Sequence, residues 1–205
     1  MSIGKNQTEW ESSYDEKGIF QKMEYPSEIV VSFVKRSHYN KIPYESKKDI
    51  LCLDVGCGWG NNLRFFTKEG FDTYGVDFCQ NVINRLLPDY GKNVTCCNFK
   101  KLPFPDSYFD FIVDRSSIQH NSLKEISIIH MEIYRVLKKD GYFFSSMIKS
   151  GTVQSGNTKF FTTYLSDIQV KRSLKQFSHL DLDYLSESKN NGKEVFNHHL
   201  IVAKK

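Results

Sequence analysis

The hydrophobic pattern of the chain changes at residue 50. From there onward, short apolar runs alternate with segments in which apolar residues recur every three or four positions. Short apolar runs are typical of buried strands, and the wider spacing is typical of helices that pack on a sheet. Because strands that alternate with helices form a parallel sheet covered on both faces, the pattern predicts an α/β fold. The predicted strands cover 50–55, 73–77, 93–97, 109–114 and 142–148, and the predicted helices between them cover 62–69, 80–87 and 123–137.

The C-terminal region predicts one reversed strand. A predicted helix over 164–177 precedes two predicted strands, over 180–186 and 195–203. The turn between these strands, Lys189-Asn190-Asn191-Gly192, contains Asn-Gly, which is a strong hairpin signal. Since strands joined by a tight turn run antiparallel, we expect an otherwise parallel sheet to end with one antiparallel strand.

Three further segments predict a cap, a helix C-terminus and a loop. Residues 1–48 are a polar lead with a predicted helix over 27–36, and we expect this lead to cap the core. The helix over 123–137 is expected to end at Lys138-Lys139-Asp140-Gly141, with cations at its C-terminus and the glycine as its C-cap. Residues 149–159 are rich in Ser, Gly, Thr and Asn without periodicity, which predicts a loop.

Composition is that of a globular protein. With 205 residues, 40% of them hydrophobic and 25% charged, the chain is expected to form a single domain over 1–205 with its core over 49–205. The net charge of +4 comes from Lys and Arg spread along the sequence, which does not by itself indicate nucleic acid. No apolar stretch approaches the roughly 20 residues that cross a bilayer. The five cysteines form no CxxC pair, so a reduced, cytoplasmic location is expected.

The clearest chemical motif follows the first predicted strand. In Asp54-Val55-Gly56-Cys57-Gly58-Trp59-Gly60, an acid and three alternating glycines lead into a predicted helix. Glycine allows the backbone to turn sharply and a ligand to lie against it, and open α/β folds bind ligands at this end of their strands. The next predicted strand ends in Asp77, whose carboxylate can accept hydrogen bonds from both hydroxyls of a ribose. Together these features predict a nucleoside cofactor.

Two classes of cofactor use such a turn. A dinucleotide site expects the third glycine one position later, where the helix N-terminus holds a pyrophosphate. Here Gly60 comes one position early, and Asn61 and Asn62 follow it. The charge of Asp54 suits the ammonium group of an amino acid and would repel a pyrophosphate. The pattern therefore favours a cationic amino-acid nucleoside over NAD.

With these residues and two later runs, the sequence resembles the class I S-adenosylmethionine-dependent methyltransferases. The resemblance covers about residues 48–205 and rests on 53–60, Asp77, 102–110 and 132–141. It implies a Rossmann-like, mostly parallel sheet of seven strands with the last antiparallel, helices on both faces and an N-terminal helical cap. It also implies S-adenosylmethionine as the cofactor and S-adenosylhomocysteine as the product.

The resemblance assigns cofactor contacts by position. They are Asp54, Gly56, Gly58 and Gly60 to the methionine part, Asp77 to the ribose, Phe78, Asn98 and Phe99 to the adenine, and Arg115 through its backbone. Asn98 stands where the family commonly has an acid, and its side-chain carbonyl would accept from the adenine amino group. Trp10 and Tyr14 resemble the Trp and Tyr that related enzymes fold over the methionine end, with simple packing of the cap as the alternative.

His120 is the candidate general base. It follows the fourth predicted strand, beside the expected methyl position, and an imidazole titrates near neutral pH. A histidine that only shapes the pocket is the alternative. The run Phe160-Phe161-Thr162-Thr163-Tyr164, together with the loop over 149–159, is expected to cover the acceptor and to suit an apolar or ring-shaped molecule.

The favoured function is methyl transfer to a small-molecule acceptor, with oxygen, nitrogen and carbon all open as the methylated atom. RNA or protein acceptors are the nearest alternative. Enzymes that methylate base amino groups resemble one another in an Asn/Asp-Pro-Pro-aromatic motif after the fourth strand, where this chain has Asp114-Arg115-Ser116-Ser117 and no Pro-Pro. A non-catalytic cofactor-binding protein is the third hypothesis. Neither a metal nor a membrane is expected as a partner, and nucleic acid is disfavoured.

Overall fold

The computed structural model describes residues 3–14, 24–152, 160–189 and 191–205. These residues form six α-helices and seven strands. The helices are α1 (Ile3–Ser13), α2 (Glu28–Arg36), α3 (Asn61–Lys68), α4 (Gln80–Tyr90), α5 (Leu123–Val136) and α6 (Asp167–Ser173). The strands are β1 (Leu51–Val55), β2 (Asp72–Asp77), β3 (Val94–Cys96), β4 (Phe109–Arg115), β5 (Leu137–Ile148), β6 (His179–Lys189) and β7 (Glu194–Lys204).

The strands form one sheet in the order β3-β2-β1-β4-β5-β7-β6. Strands β1 to β5 pair in parallel, and β7 lies antiparallel between β5 and β6. The carboxyl ends of β1 to β4 therefore meet along one edge, where the strand order reverses between β1 and β4. The expected mostly parallel sheet of seven strands with a reversed last strand is confirmed.

Helices cover both faces of the sheet. On one face, α5 and α6 pack on alternate residues of β1 and β4, in a buried cluster that includes Leu53, Ile112, Ile126, Ile129 and Val170. On the other face, α2 and α3 pack on the intervening residues, in a cluster that includes Val30, Cys52, Phe66, Phe111 and Val113. Because successive strand residues point to opposite faces and both faces are covered, most positions of β1 and β4 are apolar, and the exceptions are Asp54, Asp110, Asp114 and Arg115.

The junction between α5 and β5 differs from the expectation. The helix ends at Val136 and the strand begins at once, so the predicted C-cap at Gly141 is wrong. Asp140, with a φ of 64°, is the residue in the left-handed region. A Cβ on Gly141 would lie 2.7 Å from the carbonyl oxygen of Asp110, where the β4–β5 register shifts. The glycine is therefore needed for a close approach of two strands.

Two further differences concern helices. The polar lead contains α1 as well as the predicted helix, and Trp10 of α1 packs in a third buried cluster with Leu63, Val82 and Leu86. The helix predicted over 164–177 is only α6, because the buried Leu165 is extended and bridges to Lys149 instead of joining a helix. A capping box at Ser166 then starts α6.

Part of the predicted loops falls outside the described residues. Of the loop over 149–159, residues 149–152 are described and 153–159 are not, and Asn190 of the predicted turn is also outside. Within the described ranges, none of the helices is long and apolar enough to cross a membrane.

Candidate active site

A cavity of about 480 Å³ opens at the carboxyl edge of the sheet, beside the glycine turn. Open α/β sheets bind ligands at this edge, where the strand order reverses. The cavity brings together eight of the residues predicted from the sequence, namely Trp10, Tyr14, Gly56, Asp77, Phe78, Asn98, Phe99 and His120. Four others, Asp54, Gly58, Gly60 and Arg115, do not line it.

The glycine turn has the backbone conformation that its sequence predicts. Gly56 and Gly58 have φ values of 74° and 48°, in the left-handed region that favours glycine. The N–H groups of Gly56 and Cys57 both donate to the carbonyl oxygen of Val76, at 2.8 and 3.0 Å, which fastens the turn to β2. A Cβ on Gly56 would clash with the Ser117 side chain, so the turn is glycine-rich partly because protein groups approach it.

Asp77 holds the turn and faces the cavity. Its Oδ2 accepts a hydrogen bond from the Gly58 N–H at 3.0 Å, and its Oδ1 accepts one from the Cys79 N–H at 3.0 Å. The side chain is buried, and this burial raises its pKa while the two backbone donors oppose the shift. Each carboxylate oxygen retains a further lone pair, so Asp77 can still accept from a ligand hydroxyl.

Asp54 is a buried acid at the end of β1. Neither of its carboxylate oxygens forms a hydrogen bond within 3.5 Å among the described residues, although the Asn62 side chain lies near enough to lower its pKa, and the residue is 1% exposed. Burial raises the pKa of Asp54 to about 8, and the nearby charges of Asp114 and Asp77 add to the shift while Asn62 opposes it. A carboxyl group in this position gains from a ligand cation, because a nearby positive charge stabilises its ionised form.

The two aromatic residues that the resemblance assigns to the adenine both line the cavity. Phe78 and Phe99 meet edge to face, with ring centroids 6.4 Å apart. The Oδ1 of Asn98 accepts a hydrogen bond from the Lys100 N–H at 3.0 Å and retains a second lone pair. The predicted contact of this oxygen with an adenine amino group therefore stays a prediction. Lys100 and Glu125, which also line the cavity, form an ion pair of 2.7 Å.

Gly60 and Arg115 lie beside the cavity. Gly60 is the N-cap residue of α3, and a Cβ there would meet Leu86 at 2.7 Å. The guanidinium of Arg115 donates to the hydroxyl of Ser27 at 3.1 Å and also contacts the hydroxyl of Ser116. The Arg115 side chain thus connects β4 to the start of α2, and the predicted cofactor contact through its backbone stays a prediction.

Trp10 and Tyr14 of the N-terminal segment reach the two ends of the site. The hydroxyl of Tyr14 lies 3.0 Å from the position of a Cβ on Gly58, and burial together with the Asp77 charge raises its pKa. Trp10 stacks on Phe160 with ring centroids 4.0 Å apart and meets the His120 ring at 4.7 Å. Both residues therefore lie over the glycine turn and the neighbouring imidazole, and their contact with the methionine end of a cofactor stays a prediction.

His120 ends a short 3-10 helix, Ile118–His120, that follows β4. Its Nδ1 lies 2.9 Å from the carbonyl oxygen of Phe161 and 3.1 Å from the hydroxyl of Thr162. Burial lowers the pKa of His120, so the neutral imidazole is favoured near pH 7. A neutral imidazole at the cavity wall can accept a proton from a bound molecule.

Asp114, which was not predicted as a site residue, arranges this loop. Its Oδ1 accepts hydrogen bonds from the Ser117 N–H, the Ser117 hydroxyl and the Ile118 N–H, at 2.9, 2.6 and 3.1 Å. Its Oδ2 accepts from the Ser145 hydroxyl at 2.7 Å. An acid at a strand end followed by serines is the signal that could have indicated this turn, because such side chains satisfy nearby N–H groups.

Comparison with known proteins points to one family. Residues 53–145 match the family described as Methyltransferase domain, a span that runs from β1 into β5. A curated relative, phosphoethanolamine N-methyltransferase of Plasmodium falciparum, is 30% identical over 94 residues, which are 43% of this chain and 35% of that protein. Another, "Probable tRNA methyltransferase 9B" of Mus musculus, is 32% identical over 117 residues, which are 57% of this chain and 25% of that protein.

A solved structure shares the fold. It is the Haemonchus contortus phosphoethanolamine N-methyltransferase 2 in complex with phosphomonomethylethanolamine and S-adenosylhomocysteine. The TM-score is 0.66 at 16% identity, and the alignment covers 100% of this chain and 58% of that one. The matched region spans less than half the length of the curated relatives. The domain match over 53–145 supports a class I S-adenosylmethionine-dependent methyltransferase, and the shared fold agrees with it.

Proposed function

We propose that this chain transfers a methyl group from S-adenosylmethionine to a small-molecule acceptor bound in the cavity beside the glycine turn. The observation that carries the proposal is the pair of buried carboxylates at that turn. Asp54 has no hydrogen-bond partner among the described residues, and Asp77 lines the cavity with lone pairs to spare. A buried, unpartnered carboxyl group is costly unless a ligand offsets it, and a cationic amino-acid nucleoside does so.

The residues present fit this cofactor. In the proposal, Asp54 and the turn Gly56–Gly60 hold the amino-acid end, Asp77 holds the ribose, and Phe78, Asn98 and Phe99 hold the adenine. When bound, S-adenosylmethionine supplies a methyl group already activated by its sulfonium. The chain therefore mainly has to bind and orient the two reactants and keep water away from them.

The acceptor side is proposed to lie between Trp10, His120 and Phe161, which line the same cavity. Stacking of Trp10 on Phe160 gives this side an aromatic wall, which suits an apolar or ring-shaped molecule. His120, neutral because of its burial, would take the proton from an acceptor hydroxyl or amine. The substrate in the name of the Plasmodium falciparum relative supports a small acceptor.

An RNA acceptor is the second hypothesis, because the relative from Mus musculus is named as a tRNA methyltransferase. Binding of RNA depends mainly on Lys and Arg that contact phosphates. The ion pair of Lys100, the lysine that lines the described cavity, with Glu125 weakens the case for a phosphate contact there. The small-molecule acceptor is therefore the favoured hypothesis.

Turnover with two kinds of acceptor tests the proposal. The purified chain is incubated with S-adenosylmethionine labelled in the methyl group, either with a panel of small metabolites or with purified tRNA. We expect S-adenosylhomocysteine to form, and label to enter a small molecule. Label found only in tRNA would overturn the small-molecule acceptor. If no S-adenosylhomocysteine forms with either class of acceptor, the proposed enzyme function is overturned.

A further inference from the structure

We propose that Thr162 is a positioning residue: with the Phe161 carbonyl, it fixes the His120 ring as the Nδ1–H tautomer and so leaves Nε2 as the nitrogen that accepts a proton. This inference rests on the proposed function, because it refines the role given to His120. It draws on the contacts of residues 160–163 with the short helix that carries His120.

The tautomer follows from the partners of Nδ1. The carbonyl oxygen of Phe161, 2.9 Å away, can only accept a hydrogen bond, so Nδ1 must donate and must carry the ring proton. The Thr162 hydroxyl oxygen, at 3.1 Å, is a second acceptor for the same N–H. A neutral imidazole has one ring proton, so the lone pair that can accept is on Nε2.

Thr162 can act as an acceptor because its own proton is used elsewhere. Its hydroxyl donates to the carbonyl oxygen of Phe160 at 3.2 Å, which turns its lone pairs toward Nδ1. The same bond ties the two sides of the turn that presents the Phe161 carbonyl to His120. Removing the hydroxyl would therefore loosen both acceptors of the Nδ1 proton.

The surrounding contacts hold this arrangement in register. The Thr163 N–H donates to the Gln119 carbonyl oxygen at 2.8 Å, and the Gln119 Oε1 accepts from the Ile148 N–H at 2.6 Å. The segment with Thr162 is therefore bonded to the residue that precedes His120, which is in turn bonded to β5. The Trp10 ring, 4.7 Å from the imidazole, restricts rotation of the ring.

The proposed step balances in protons and electrons. As the acceptor's O–H or N–H bond breaks, its proton joins the lone pair of Nε2, and the acceptor atom keeps the electron pair that bonds the incoming methyl carbon. The electron pair of the broken S–C bond returns to sulfur. The imidazolium that results carries both ring protons, and the Phe161 carbonyl and the Thr162 hydroxyl stabilise it through Nδ1–H. No other reactant is needed.

The experiment is ¹⁵N NMR of histidine-labelled protein with S-adenosylhomocysteine bound, in which the His120 signals are identified by their loss in His120→Asn. In the wild type we expect a protonated Nδ1 and an unprotonated Nε2. In Thr162→Val the ¹⁵N chemical shifts of both His120 nitrogens should move toward a common average, because both tautomers become populated. Thr162→Ser keeps the hydroxyl and should give the wild-type shifts. Thr163→Val is the matched control, because its hydroxyl donates to the Asn121 carbonyl and does not contact the imidazole.

A protonated Nε2 in the wild type would overturn the inference, as would wild-type His120 shifts in Thr162→Val. If Thr162→Val does not fold, the wild-type spectrum still shows which tautomer is present. The role of the hydroxyl is then tested by comparing the His120 ¹⁵N shifts of Thr162→Ser, which keeps the hydroxyl, with those of Thr162→Ala, which lacks it. With an active acceptor, kcat of Thr162→Val should fall roughly fivefold, the size expected from one hydrogen bond, while KM for S-adenosylmethionine stays constant. The NMR measurement of the tautomer does not require methyl transfer. A failure of the proposed methyltransferase function would therefore show in the turnover assay and not in the NMR spectrum.

Discussion

Asp77 and Gly58 meet at the centre of the site, where a carboxylate oxygen accepts the N–H of the glycine turn. The same carboxylate is proposed to bind the ribose. Recognition of the cofactor and the shape of the turn therefore depend on one side chain, and substitution of Asp77 should affect both.

The first prediction concerns Asp77→Asn. The Asn side chain keeps one acceptor oxygen but places an NH2 donor opposite the N–H of either Gly58 or Cys79, and it removes the charge offered to the ribose hydroxyls. The Kd for S-adenosylhomocysteine, measured by calorimetry, should rise about 5- to 150-fold, or about 1 to 3 kcal/mol. Asp110→Asn is the control, since Asp110 accepts from the Leu51 N–H at the opposite edge of the sheet. Equal losses of affinity in both variants would contradict the role of Asp77.

The second prediction compares two glycines with nearly the same φ. Gly58 and Gly91 have φ values of 48° and 51°, which L side chains rarely adopt, so alanine at either position should lower the unfolding free energy by at least about 1 kcal/mol. A Cβ at Gly58 also crowds the Tyr14 hydroxyl, whereas nothing lies within 4 Å of one at Gly91. Gly58→Ala should therefore weaken S-adenosylhomocysteine binding about tenfold and Gly91→Ala should not. Unchanged binding in Gly58→Ala would remove the glycine turn from the site.

Residue types and spacing were enough to predict Gly56, Asp77 and His120 as neighbours of one cavity, and the family resemblance added Trp10 and Tyr14. The role of Asp114 could not be predicted in the same way. Its partner Ser145 lies on β5, and the contact depends on the pairing of Asp114 with Ser145 across two strands. Sequence periodicity gives the face of a strand but not its register against a neighbour.

At the scale of elements, α5 and α6 meet through a buried histidine. His130 of α5 is fully buried, and its Nδ1 donates to the Ser173 hydroxyl at 3.0 Å, while that hydroxyl donates to the Val170 carbonyl. Burial lowers the pKa of His130 to about 3, although the Ser173 contact opposes the shift. The histidine is therefore neutral in the folded protein and becomes charged on unfolding below about pH 6.5.

This contact predicts a pH dependence of stability. Because the folded pKa lies below the unfolded value, the contribution of His130 is complete above about pH 6.5 and is lost progressively as the pH falls toward 3. Between pH 7 and pH 5 it should reduce the unfolding free energy by about 2 kcal/mol. Urea unfolding should show this loss in the wild type and in Ser173→Ala, where the histidine stays buried, but not in His130→Gln. An equal loss in His130→Gln would show that other groups cause it.

Strand positions were predicted well because buried parallel strands are short, continuous apolar runs. Helix boundaries were predicted less well. The helix over 164–177 was overextended because Leu165 has helical spacing from later apolar residues, yet it pairs with Lys149 in an extended conformation. Tertiary contacts of a single buried residue can override local periodicity in this way.

At the scale of the molecule, the direction of the last strand follows from a signal in the sequence, because the Asn-Gly hairpin makes β7 antiparallel to β6. The strand order does not follow in the same way, because it depends on which strands pair, and the segment between β3 and β4 contains no α-helix. The position of α1 does not follow from the hairpin either. Its contact with the site depends on Trp10 and Tyr14, which pack against α4 and the glycine turn across more than forty residues of sequence. Only the folded sheet brings these parts together.

The central claim is that the cavity at the glycine turn binds a cationic amino-acid nucleoside and not a dinucleotide. Titration calorimetry of the wild-type chain with S-adenosylhomocysteine and, separately, with NAD tests it most directly. We expect saturable binding of S-adenosylhomocysteine at one site per chain, weakened in Asp77→Asn, and no saturable heat with NAD. Saturable binding of NAD, or no binding of S-adenosylhomocysteine, would show that the cavity does not have this specificity.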